Sequence, residues 1–313
     1  MTSETSERTI TYGSLWPEGH FGRDVAAGFA AAVAEGTDGR ITVTVTPPSS
    51  DDALTKQVID GQIEMTSGHA IQDYVPELGL GYLPYLYRSF DEFRGIWNLG
   101  TPISDAILAN VARRKVPVVV LGYSVIGFRD VILREKQIVQ ASDFKGLKIR
   151  NDGSTTSHDT FVAFGAEPQA IEYHKVKDAL ATGEVEAAAN TTFNLIYMGW
   201  YEVTKNVSLT SHQILTNLEI VNESFWGSLS AADQEVFRQA MHDACNTFAS
   251  DAKTHREEAV TQLAGYGLDV NQLSDATKAD LARAVEPMKN AFVAEYGLQQ
   301  EYQAILDARS DLT

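Results

Sequence analysis

Cysteine is almost missing from this chain: Cys245 is the only one in 313 residues. An intrachain disulfide therefore cannot form, and neither can a thiolate zinc cluster. Long apolar runs are missing too. The longest candidates, such as Val116–Leu121, have strand length and fall far short of the ~20 residues that span a bilayer. Positive charge is scarce, with 25 Lys and Arg against 42 Asp and Glu, a formal net charge of −17. That balance excludes general nucleic-acid binding, which needs a basic footprint, and adhesion to anionic lipid. It is compatible with a small anionic ligand, because a pocket can be locally basic in an acidic protein.

Catalytic signatures are also lacking. No Gly-Lys-Ser or Gly-Lys-Thr occurs, so there is no phosphate loop. Gly79-Leu-Gly81 lacks the third glycine of a dinucleotide fingerprint and runs into Pro84. Gly122-Tyr-Ser124-Val-Ile-Gly127 has one residue too many for a nucleophile elbow. The seven histidines form neither H-x-x-x-H nor H-E-x-x-H, and neither a metal nor a cofactor is expected. The polar start, Met1–Arg8, reads as neither secretory signal nor transit peptide. That leaves a cytoplasmic protein or one whose export signal has been removed.

Apolar residues make up 44% of the chain and charged residues 21%, an ordinary globular mix. The length is about twice the ~150-residue domain prior, so two domains are expected. The first third alternates strand and helix. Ile10–Gly13 reads as a strand. A helix follows over 23–35, with Val25, Phe29 and Val33 on one face. Ile41–Val45 alternates with strand period, Asp51 or Asp52 caps a second helix, and Ile63–Thr66 is again a strand. This β-α-β-α-β order belongs to an α/β domain. Helices are predicted over Phe90–Trp97 and Ile103–Arg114, with Val116–Leu121 as a buried strand after them. Short strands at Val131–Leu133, Leu147–Arg150 and Val185–Ala189, with helices over 156–164, 173–181 and 193–201, build a second α/β unit from about residue 128. Residues 231–264 hold neither proline nor glycine. Ser230 is a good N-cap for a helix long enough to run along both domains. Two more helices, 276–296 and 301–308, end the chain.

One segment carries more than local structure. Ser142-Asp143-Phe144-Lys145-Gly146-Leu147-Lys148-Ile149-Arg150 is a turn and a short strand that delivers an arginine. It resembles the D-[FL]-K-G-[LM]-K-[IL]-R motif of the solute-binding proteins of tripartite ATP-independent periplasmic (TRAP) transporters, complete to Arg150. Other matches follow in order: Lys136-Gln-Ile138, Phe164-Gly-Ala-Glu-Pro168, Val176–Gly183, Trp200-Tyr-Glu-Val203, Asn222-Glu-Ser-Phe225 and Leu229–Gln234. The likeness runs from about residue 10 to 300.

The resemblance implies a two-domain α/β periplasmic-binding-protein fold (class II-like), with a central cleft and a long helix bridging both domains. It implies domain I over 1–127 plus 216–255, and domain II over 128–215 plus 256–313. It implies a receptor that closes on one small organic anion and hands it to the transporter's membrane subunits. Such a receptor works in the periplasm, is not embedded in the membrane, and in most members is a monomer. Arg150 takes the place of the arginine that pairs with the ligand carboxylate. A guanidinium suits that task, because it grips a carboxylate or sulfonate with two parallel hydrogen bonds and stays charged near pH 7. Arg129 lies where some members have a second ligand arginine. Tyr173 matches an aromatic packed on the ligand, and Asn190 a ligand-contacting amide. His69 falls near a frequent polar contact, and Trp16 lies in the first strand-to-helix loop, a common cleft wall. The stretch Val185-Glu-Ala-Ala-Ala189 lacks the family's glycine and glutamate, which points to an unusual ligand. Two alternatives share the frame: a binding module for a sensor protein, and an enzyme acting on a small acid through His69 and Ser67.

Overall fold

The computed structural model describes residues 7–311; most of the polar N-terminal stretch, residues 1–6, lies outside the described residues. In chain order the elements are β1 (Arg8–Ser14), α1 (Phe21–Gly36), β2 (Ile41–Pro48), α2 (Asp51–Ile59), β3 (Met65–Gly68), α3 (Phe90–Trp97), α4 (Pro102–Arg113) and β4 (Val118–Leu133). Then come β5 (Lys148–Asn151), α5 (Thr155–Ala163), β6 (Glu167–Ala170), α6 (Val176–Thr182), β7 (Ala187–Asn190), α7 (Thr192–Tyr197) and β8 (Asn206–Asn222). The chain ends with α8 (Glu223–Ser228), α9 (Ala231–Gly265), β9 (Asp269–Gln272), α10 (Asp275–Tyr296) and α11 (Gln299–Asp311).

The strands lie in the order β2-β1-β3-β8-β4-β7-β5-β6, with β9 added to β8. β1 is parallel to β2 and β3, and β5 is parallel to β6 and β7. The long strands β4 and β8 are antiparallel to each other and join the two groups. β3 pairs with the Leu218–Val221 end of β8, and β7 with the Asp130–Leu133 end of β4. Between them, Ser124–Arg129 pairs only with the middle of β8. The sheet thus has two lobes connected by a two-stranded waist. Two register shifts fall there, between Val125 and Gly127 and between Arg129 and Val131. Gly127 has φ 139°, a conformation that favours glycine.

The helix α9 ties the lobes together. Its 35 residues span about 50 Å, close to the ~50 Å that a 16-residue strand such as β4 can reach. Ser230 accepts the Asp233 N–H at 3.1 Å and caps it. Among its buried residues, Phe237, Met241, Phe248, Ala252, Ala259 and Leu263 recur at alternating steps of four and seven, with Ala240 and Ala249 beside them. That spacing keeps one face inward over the whole length. Met241 packs with Phe29 and Val221 of the first lobe, and Leu263 with Ile132 and Trp200 of the second.

Two expectations need correction. The cap of α2 is Ser50, whose side chain accepts the Ala53 N–H; Asp51 and Asp52 occupy the first turn instead. The strands predicted at 116–121 and 131–133 are parts of one strand, β4, and the elbow-like Gly122–Gly127 lies inside it rather than at a strand–helix turn. The C-terminal helices α10 and α11 contribute to both lobes. Leu281 and Val285 pack with the second, against Phe144 and Phe161. Leu298 and Ile305 join the first-lobe core with Trp97 and Ile107. Pro287, which lacks a backbone donor, sits where α10 passes from one core to the other.

At the waist, Asp130 is fully buried. Its Oδ1 accepts the Ser211 N–H at 2.9 Å, and its Oδ2 faces Arg256 Nη1 of α9 at 2.5 Å. Arg256 also donates to the Phe128 carbonyl and the Ser211 hydroxyl. Removing the cation leaves an uncompensated buried carboxylate, at a cost of about 3–5 kcal/mol. Arg256→Leu is therefore expected to lower unfolding stability by about that amount in urea titration. A loss within ~0.5 kcal/mol would mean that α9 is not clamped here.

Candidate functional site

The topology brings strand ends together. β3 and β4 are both antiparallel to β8, and β7 is antiparallel to β4. The C-terminal ends of β1 and β3 therefore point toward those of β5 and β7 across the waist. In open α/β sheets ligands bind outside such carboxyl ends. Trp16 follows β1, His69 follows β3, Arg150 and Asn151 end β5, and Asn190 ends β7.

Arg150 is 5% exposed. Its Nε donates to the Ile171 carbonyl at 2.9 Å, and its guanidinium lies 5.8 Å from the Tyr173 ring centre. Among the described residues its two terminal amino groups have no hydrogen-bond partner and no ion pair. Burial pushes its pKa down to about 10, against the pull of Asp152, so it is still a cation at neutral pH. Arg129, also buried, donates through Nη2 to Asp152 Oδ2 at 2.5 Å. Asp152 Oδ1 accepts the N–H and hydroxyl of Ser154 at 3.1 and 2.7 Å. Burial works against the Asp152 charge, but Arg129, His69 and Arg150 together hold its carboxyl well below the usual carboxylate range.

His69 enters from the other lobe. Its Nδ1 is 2.9 Å from Asp51 Oδ2, which also accepts the backbone N–H groups of His69 and Ala70. A Cβ on Gly68 would lie 1.9 Å from Asp51 Oδ1, so only glycine allows that approach. Burial disfavours the imidazolium, but Asp51 and Asp152 outweigh it and raise the His69 pKa.

A chain of hydrogen bonds crosses between the lobes. His20 caps α1 by accepting the Gly22 N–H at Nδ1, so Nε2 carries the proton toward Asn194 Oδ1 at 3.3 Å. Asn194 donates to Asn190, and Asn190 donates to the Tyr173 hydroxyl, each at 3.3 Å. The structure thus brings Arg129, Arg150, Tyr173 and Asn190 together, with His69 opposite. Trp16 is placed differently. It stacks on His20 at 4.4 Å between ring centres and meets Phe248, so it supports the far end of this chain rather than the arginines.

Asp152, Asn194 and the polar row of β8 escaped the sequence reading. On β8, Thr210, His212, Gln213, Asn217 and Glu219 are all buried. The signal for Asp152 was its place two residues after the motif arginine. Glu219 accepts hydroxyl hydrogen bonds from Tyr12, Ser67 and Ser124, and burial raises its pKa. Ser67 is thus turned to Glu219 and His69 to Asp51, which is not a nucleophile–base pair.

A family model described as bacterial extracellular solute-binding protein, family 7 (DctP), matches residues 12–295. The chain belongs to this family. Its members are solute-binding transport proteins of the extracellular or periplasmic space. A sialic acid-binding periplasmic protein of Vibrio cholerae is 25% identical over 278 residues, 86% of this chain and 83% of that protein. A TRAP periplasmic solute-binding protein of Sulfurospirillum deleyianum, solved with bound succinate, matches with TM-score 0.86 and 25% identity, covering 96% of this chain and 99% of that one. The sugar acid binding protein of Advenella mimigardefordensis, solved with galactonate, matches with TM-score 0.90 and 22% identity over 98% and 99% of the two chains. The fold is therefore the two-domain α/β fold of TRAP binding proteins. No helix among the described residues is long and apolar enough to cross a membrane.

Burial lowers the pKa of His20 to about 4 and that of His212 to about 3, with Arg129 adding to the latter. Both are neutral in the fold, while an unfolded histidine takes a proton near pH 6.5. Their effect is a loss of stability as pH falls from about 6.5 toward those values. His69 acts in the opposite sense: beside Asp51 its raised pKa gives a contribution that is lost as pH rises through the raised value, while that of Asp51, whose pKa is lowered, is lost on acidification below the usual carboxylate range. His20→Gln is expected to flatten the decline in urea-unfolding free energy between pH 6.5 and 4. An unchanged slope would remove His20 as its source.

Proposed function

We propose that this protein is the periplasmic receptor of a TRAP transporter. It binds one small organic anion, a carboxylate or sulfonate, between its lobes and delivers it to the transporter's membrane subunits. The observation that carries this reading is Arg150: a buried cation at the strand ends, with both terminal amino groups turned to no other side chain. A carboxylate fits that fork with two parallel charge-assisted hydrogen bonds. The relatives of Vibrio cholerae and Sulfurospirillum deleyianum are named for, or hold, organic acids. Arg129, Tyr173, Asn190 and His69 complete the wall, and Trp16 steadies it from behind.

In this reading domain I comprises residues 1–127, 216–255 and, by its packing, α11; domain II takes 128–215 and most of the remainder. The lobes close about the waist at Gly127 and Ser211, as hinge proteins do around ligands. Closure withdraws the ion pair from water, and with it comes selectivity. The protein turns nothing over, and its mature form acts in the periplasm without being embedded in the membrane.

Thermal unfolding against a panel of organic acids and their amides tests the reading. An acid at a hundred times its Kd is expected to add about 2.7 kcal/mol of stability, and its amide none. Arg150→Ala is expected to weaken that acid at least 30-fold by calorimetry, since truncating one partner of a buried charge pair costs about 2–5 kcal/mol. Unchanged affinity in a folded variant would overturn the assignment.

A further inference from the structure

The proposed site contains more negative charge than an anion receptor needs. Three cationic side chains converge on it, and two are already engaged: Arg129 holds Asp152 at 2.5 Å and His69 holds Asp51 at 2.9 Å. Among the described residues there, Arg150 alone lacks an ion pair. Asp73, electrostatically coupled to His69 and Asp152, adds a further acid on the His69 side. Whether or not His69 carries its proton, Arg150 is the one cation here left to pair with a ligand, which suits one negative charge and not two. Asp152 is only 9% exposed in its side chain, so its charge cannot be moved into water without opening the site.

Asp152 also has a vacancy of another kind. A carboxylate has about four acceptor positions. Arg129 fills one, and the Ser154 N–H and hydroxyl fill two. The remaining position asks for a donor, and a carboxylate ligand group has none. We infer that Asp152 sets the specificity of the site: the ligand is a monoanion with hydroxyl or ammonium donors near its carboxylate, and dicarboxylates are rejected. This rests on the reading of Arg150 as the ligand arginine. In the bound state the carboxylate takes the two free amino groups of Arg150, and a neighbouring hydroxyl or ammonium donates to Asp152. A second carboxylate in that place meets Asp152 with like charge and no free cation.

Calorimetry with matched acids of two lengths tests this. The four-carbon set is 2,3,4-trihydroxybutanoate, succinate and butyrate; the six-carbon set is gluconate, adipate and hexanoate. In the wild-type protein the hydroxy acid of at least one set is expected to bind 30-fold or more tighter than its dicarboxylate and its plain monoacid. In Asp152→Asn, which keeps the shape and removes the charge, that preference is expected to shrink at least tenfold as Arg129 becomes free for a second carboxylate. A dicarboxylate that binds the wild-type protein as tightly as the hydroxy acid overturns the inference and leaves the anion-receptor reading standing. So does an unchanged ratio in a folded Asp152→Asn. Failure of both hydroxy acids to bind the folded wild-type protein at millimolar concentration overturns the inference, and the receptor reading is then decided separately by the acid and amide panel described above. The wild-type comparison decides even where the variant does not fold.

Discussion

The guanidinium of Arg150 is withdrawn from water with its charge unpaired, and much of the structure serves to keep it so. One nitrogen is fixed to the Ile171 carbonyl, and the Tyr173 ring lies beside the plane. The carboxylate two residues on, Asp152, is drawn instead to Arg129 and Ser154. Burial lowers the pKa of Arg150 to about 10, so the protein bears a desolvation cost in the free state. On the function proposed above, an incoming carboxylate relieves it. An arginine already paired with an acid would gain far less, since the ligand would first have to displace that partner.

The sheet topology makes such a site available without long loops. β4 and β8 each serve both lobes, and between the two outer groups of strands they pair only with each other. Opposed strand directions put the carboxyl ends of both groups on the same gap. The waist is narrow, contains two register shifts and a glycine at φ 139°, and is clamped to α9 by Asp130 and Arg256. The relay from His20 through Asn194 and Asn190 to Tyr173 connects the cap of α1 in one lobe to the surroundings of Arg150 in the other.

Local signals in the sequence identified most elements, because most follow from local physics. The long helix α9 was legible from its cap at Ser230 and its lack of glycine and proline. Arg150 was legible because its turn and strand form a contiguous motif. The strand β8 was not. Its segment, with Ser208, Thr210, Ser211, His212, Gln213, Asn217 and Glu219, has no alternating apolar pattern to mark a strand, yet almost every residue is buried. Those side chains are satisfied by partners far along the chain, such as Tyr12 and Ser67 on Glu219 and Asp130 on the Ser211 backbone. The role of Asp152 was hidden for the same reason: its meaning depends on Arg129, 23 residues away on another strand. Trp16 lies in the loop the sequence indicated, and its stack on His20 is a contact that no local pattern announces.

The central claim is that the unpaired guanidinium of Arg150 is the seat of the ligand carboxylate. The most direct measurement is a crystal structure of the protein with its tightest-binding acid. The account predicts the carboxylate between the lobes, both oxygens within hydrogen-bond distance of the terminal nitrogens of Arg150, with the Arg129–Asp152 pair intact. A carboxylate bound at another cation, with Arg150 turned to a protein acid, would contradict it.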